Sequence, residues 1–233
     1  MLKVEEISKK FGDFQAINNL SFEVKVGDVM GFLGPNGAGK TTSMRVITGY
    51  LKADDGRVLI DNKDIDENPI YSKSQIGYLP EGVPLYLDFS PALYLDYVCS
   101  VREVKNAKTQ IQKVINDLQL EDVKDVPIET LSKGFKRRVG IAQSLVHNPK
   151  LLILDEPTDG LDPLQKVEVR KLIKKLSKTK AIIISTHILD EVPEVCNKCL
   201  IIDQGEKKFE GTPTMLKRKI GKSLDEKFRK IIS

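Results

Sequence analysis

Three features of the sequence predict an α/β fold with a mainly parallel sheet. The first is a set of short apolar runs, Val29 to Leu33, Leu151 to Leu154 and Ala181 to Ile184. Each is continuous, as in strands buried on both faces. The second is helical periodicity between the runs. Ile111, Val114, Ile115 and Leu118 recur at i, i+3, i+4 and i+7, and so do Val169, Leu172, Ile173 and Leu176. The third is alternation near the N-terminus. Phe22, Val24 and Val26 are apolar, with Ser21, Glu23 and Lys25 between them. That is the period of a half-buried antiparallel strand, and Leu2, Val4 and Ile7 suggest its partner.

The elements then divide the chain. Phe135, Val139, Ala142 and Val146 mark a further helical stripe, and residues 85–147 read as helical throughout. We expect an α/β core from 1–84 and 148–222, carrying an N-terminal antiparallel β-subdomain. Residues 85–147 form an inserted helical subdomain, and 223–233 a short terminal helix with Leu224, Phe228 and Ile231 on one face. At 233 residues, with 40% apolar and 30% charged side chains, the chain is ordinary for a globular protein, not a disordered or fibrous one. No apolar run approaches the roughly 18 residues of a membrane span. The first residues, Met1 to Glu6, lack the pattern of a secretory signal.

Three cysteines, an odd number, favour a reducing compartment. Cys196 and Cys199 have C-x-x-C spacing but no second pair, and neither His147 nor His187 lies at zinc spacing from them. They read as partly buried thiols. The net charge of +4 is uneven. Residues 207–230 hold nine basic and three acidic side chains, so the rest of the chain is net negative. That stretch is either a solvated face or a surface drawn to anionic lipid. It gives no support to nucleic acid as a partner, and none is expected.

The most specific motif is Gly34-Pro35-Asn36-Gly37-Ala38-Gly39-Lys40-Thr41, a full G-x-x-x-x-G-K-[ST] match. It follows the run ending at Leu33 and opens a helix through Thr42, Met44, Ile47 and Thr48. Glycines let backbone N–H groups wrap phosphate oxygens, and the helix N-terminus adds partial positive charge. Lys40 can reach the outer phosphates, and Thr41 can ligate Mg²⁺. The run Leu151 to Leu154 ends in Asp155-Glu156, at the strand end where α/β proteins bind ligands. Asp155 suits Mg²⁺ and Glu156 suits a base for water. Asp162-Pro163 is either a helix N-cap or part of an interface. Leu131-Ser132-Lys133-Gly134-Phe135 opens another helix, yet Lys133, Lys136, Arg137 and Arg138 crowd its first turns against the dipole. Either a second phosphate binds there or the helix carries a solvated basic face.

Together these motifs resemble the ATP-binding subunit of an ABC transporter, with a P-loop NTPase core. The resemblance spans essentially the whole chain, and its motifs stand in family order. They are the phosphate loop, the signature-like Leu131 to Phe135, Asp155-Glu156, Gly160-Leu161-Asp162-Pro163 and Ser185-Thr186-His187. The resemblance implies a fold, an activity and roles. ATP is the substrate and Mg²⁺ the cofactor. Phe11 stacks on adenine and Ala16 lies near the base. Residues Gly34 to Thr42 hold the phosphates, and Thr41, Glu81 and Asp155 hold the metal. Glu156 polarises the attacking water, and His187 contacts the γ-phosphate. His147 has no such role and reads as structural.

Ser132, Gly134 and Asp162 would meet ATP held by a second copy, so that two ATPs are sandwiched in a dimer. The partners implied are that second copy and an integral membrane permease, which keeps the chain at the cytoplasmic face. Two departures stand out. Glu81 occupies the position of a usual glutamine and cannot donate an amide hydrogen bond. Lys133 and Phe135 replace a usual glycine and glutamine. Both departures resemble the exporter-type branch. The alternative is a non-transport ABC ATPase acting on nucleic acid or the ribosome.

Overall fold

The structure, a computed structural model, describes residues 1–186 and 191–218. His187 and the terminal helix expected at 223–233 lie outside the described residues.

Alternation at the N-terminus builds an antiparallel sheet. Strands β1 (Leu2–Phe11) and β2 (Phe14–Val24) form a hairpin in which Phe11 pairs with Phe14 across Gly12-Asp13. Strands β4 (Asp55–Ile60) and β5 (Lys63–Asp64) complete the order β2-β1-β4-β5. Its buried positions alternate along β2, with Leu20, Phe22 and Val24 turned inward, because one face of the sheet meets the core and the other meets water.

The continuous apolar runs build the second sheet. It contains β3 (Val29–Leu33), β6 (Ile76–Leu79), β7 (Leu151–Asp155), β8 (Ala181–Ser185), β9 (Lys198–Asp203) and β10 (Glu206–Gly211), in the order β10-β9-β3-β8-β7-β6. Five strands run parallel, and β10 is an antiparallel edge. Every residue of β3, β7 and β8 is buried. Strand pleat sends successive side chains to opposite faces. Met30, Phe32, Ile153 and Ile183 therefore enter a core with Leu20 and Phe22 of the first sheet. Val29, Leu33, Leu154 and Ile184 enter the other, under the helices. The Phe22 and Phe32 rings lie 5.7 Å apart and tie the two sheets together.

Helix α1 (Lys40–Ile47) follows β3, and α2 (Pro69–Ser74) precedes β6. Between β6 and β7 the described elements are helical: α3 (Pro91–Val101), α4 (Ala107–Asp117), two 3₁₀ turns and α5 (Lys133–Leu145). Local chemistry starts them. Ser90 Oγ accepts from the Leu93 N–H ahead of α3, and Ser132 Oγ accepts from the Phe135 N–H ahead of α5. Helix α6 (Pro163–Ser177) begins with Asp162 and Gln165 capping one another, with Pro163 at the first helical position. The short helices α7 (Val192–Val195) and α8 (Pro213–Arg218) flank the last hairpin.

Residues without chemistry in the reading are accounted for by packing. Cys99, Cys196 and Cys199 are free and buried. Burial pushes the Cys196 thiol up to about 12 and that of Cys199 up to about 11, so both are inert at neutral pH. His147 donates from Nε2 to the Ile76 carbonyl at 2.9 Å. Burial, helped by the Arg102 charge, holds its imidazole down at about 4, so the ring is neutral.

Candidate functional site

A cleft of about 630 Å³ opens at the carboxyl ends of β3 and β7. Its lining comprises Phe14, Ala16, Gly34, Pro35, Asn36, Gly37, Gly39, Lys40, Thr41, Thr42, Glu81, Asp155, Glu156, Asp159 and Thr186. Residues far apart in sequence meet here because parallel strands deliver their carboxyl ends to one edge.

The loop from β3 to α1 forms one wall. Gly39 caps α1 with a left-handed backbone at φ 102°, and no side chain satisfies the first N–H groups. The first turn holds no acid. The helix end is thus left for an anion. A Cβ on Gly39 would strike the Ala16 carbonyl, and one on Gly34 would strike the Ile202 carbonyl. Glycine is required at both places for space alone. Lys40 Nζ donates to the Gly34 and Pro35 carbonyls at 2.7 and 3.0 Å. Burial holds its ammonium below the ordinary lysine range, against the pull of Glu156, Asp155 and Glu81.

The acidic strand end forms the other wall. Asp155 is only 3% exposed. Its Oδ1 accepts from Ser185 Oγ, whereas its Oδ2 is buried with no hydrogen-bond partner. A buried carboxylate oxygen without a donor is costly, and a hard cation would satisfy it. Thr41 and Glu81 line the same cleft. No three His, Cys, Asp or Glu side chains among the described residues form a metal cage of their own. Glu156 follows in a left-handed backbone at φ 50°. For a residue with a Cβ this conformation is strained, by roughly 1–3 kcal/mol, and such strain clusters at functional sites.

Several expected site residues stand elsewhere. Phe11 does not line the cleft; Phe14 does. Phe14 and Ala16 of β2 both line the cleft, while Phe11 sits across the turn with Lys9 Nζ 5.9 Å from its ring centroid. Ala38 is buried in the core beneath the loop. Ser132 and Gly134 are outside the cleft of their own chain. Gly134 is packed so closely on Gln165 that a Cβ would strike its side-chain amide. Asp162 forms the cap that opens α6.

The cations at the start of α5 each find a partner within this chain. These four do not converge on one anion site. Lys133 pairs with Asp159 at 2.9 Å, and Lys136 donates to the Glu129 carbonyl. Arg138 is buried against Leu118 and Gln119. Arg137 is 6% exposed and donates to the carbonyls of Pro80, Glu81, Asp155 and Glu156. Within one chain, backbone carbonyls relieve most of the charge that opposes the helix dipole. Phe14 and Asp159 line the cleft though motif reading left them without a role, and Arg137 packs against its wall.

The comparisons agree with this architecture. Residues 17–159 match the family model described as ABC transporter. The chain is 38% identical over 209 residues to the uncharacterized ABC transporter ATP-binding protein YhcH of Bacillus subtilis (strain 168), covering 88% of this chain and 68% of that one. It is 32% identical over 219 residues to the lipopolysaccharide export system ATP-binding protein LptB of Escherichia coli (strain K12), covering 91% of each. A solved ATP-binding subunit of an ABC transporter superposes with TM-score 0.90 at 26% identity, over 99% of both chains. With the phosphate loop and the acidic strand end facing one cleft, the chain belongs to the ABC transporter family, as an ATP-binding subunit that hydrolyses ATP.

Proposed function

We propose that two copies of this chain close around two MgATP and power the export of cargo through a separate membrane permease. The observation that carries the reading is the meeting of Lys40, Asp155 and Glu156 in one cleft whose helix N-terminus is uncapped. No helix among the described residues is long and apolar enough to cross a membrane, so the translocation path would belong to the permease and hold this chain at the cytoplasmic face. The likeness to LptB, a protein of an export system, supports the direction.

In this reading the loop N–H groups and Lys40 bind and orient the phosphates. Thr41, Asp155 and Glu81 would hold Mg²⁺, which supplies charge neutralisation on the phosphate oxygens. Glu156 takes the proton of an in-line water, and His187 orients the γ-phosphate. Phe14 is better placed than Phe11 to meet the base beside Ala16. Ser132, Gly134 and Asp162 lie outside the cleft of their own copy, which suits contact with ATP held by the other. The export direction and the Mg²⁺ ligands belong to the reading, as do the residue roles.

The test is sedimentation of a Glu156→Gln variant. A dimer at saturating MgATP and a monomer without nucleotide are expected. A monomer under both conditions would count against the shared site.

A further inference from the structure

We infer that Arg137 is a positioning residue for hydrolysis, bracketing the two backbone segments that carry Glu81 and Glu156. The inference rests on the reading that these carboxylates act at the phosphates.

The geometry is specific. Nη1 donates to the Pro80 and Glu81 carbonyls at 3.3 and 2.8 Å. Nη2 donates to the carbonyls of Asp155 and Glu156. One planar fork thus holds the end of β6 and the end of β7 from the first turns of α5. In an extended strand, successive carbonyls point in opposite directions. The left-handed φ of 50° at Glu156 breaks that alternation, and two consecutive carbonyls reach the same nitrogen. The strained backbone at the proposed base and the guanidinium are therefore one arrangement.

The group is also committed. Arg137 is buried, and its Nε has no hydrogen-bond partner, so the side chain is held for the four carbonyls alone. Burial holds its guanidinium below the ordinary arginine range, and the negative charge of Asp155, Asp159, Glu156 and Glu81 counters part of that desolvation. Lysine is no substitute. Its ammonium is a point donor, and only the rigid fork of arginine serves both segments at once. Arg137 lies five residues after Ser132, on the helix that Ser132 caps. A displacement of that helix by a second copy would reach the Glu81 and Glu156 segments directly through this side chain.

The experiment compares Arg137→Lys, Arg137→Met and Glu156→Gln with the unaltered full chain. It measures ATP hydrolysis, MgATP binding and thermal unfolding. For both Arg137 variants, kcat should fall at least tenfold. KM and the Kd for MgATP should stay within threefold, because Arg137 does not line the cleft and meets its wall only through backbone carbonyls. Wild-type kcat in Arg137→Lys overturns the inference. So does a loss of binding that parallels the loss of turnover, and so does failure of both variants to fold, which would assign Arg137 to stability alone. An active Arg137→Lys beside an inactive Glu156→Gln would sink only this inference. An active Glu156→Gln would sink the functional reading beneath it.

Discussion

Lys133 shows how little an exposed charge need matter to the fold. Its ion pair with Asp159 is short, but both side chains are more than half exposed. Such pairs contribute about 0–1 kcal/mol. Replacing Lys133 with glycine should shift unfolding by no more than that, measured by denaturant titration. His147 is the opposite case. Its folded value of about 4 lies below the ordinary 6.5, so between those values the unfolded chain binds more protons. Stability should therefore fall as pH drops from about 6.5 to about 4. The loss is about 3 kcal/mol, since one pKa unit is about 1.4 kcal/mol. A His147→Gln variant should lose less stability than the unaltered chain over that window. Equal losses in the two proteins would contradict the burial argument.

At the scale of elements, strand β7 does two jobs. Ile153 is fully buried between the sheets, while two residues later Asp155 opens into the cleft. Ile153→Ala should cost about 2–5 kcal/mol, read as a lower denaturant midpoint. A change under 1 kcal/mol would mean that the core relaxes around the gap. The apolar runs and the phosphate loop were legible because each is contiguous and its chemistry is local. Hairpin faces were harder to read. The two-residue turn pairs Phe11 with Phe14 on one face of the hairpin, so sequence alternation does not tell which one meets the cleft. Arg137 was not legible at all. Its role depends on β6 and β7 being neighbours, and sequence spacing carries no sign of where a helix side chain ends against two distant loops.

At the scale of the molecule, two sheets share one core, and the parallel sheet carries the cleft on its edge. The end of β6, the acidic strand end and α5 come from separate parts of the chain and are joined there through backbone carbonyls. Catalysis in such a site is positioning and electrostatics, not covalent chemistry, so rigid strand ends matter as much as reactive side chains. The most direct test is single-turnover and steady-state ATP hydrolysis by Glu156→Gln, with MgATP binding measured on the same preparation. Retained binding with turnover reduced by about 10²–10⁴-fold, the usual range for losing a general base, is the result expected if Glu156 activates water in this cleft. Turnover equal to that of the unaltered chain would contradict it.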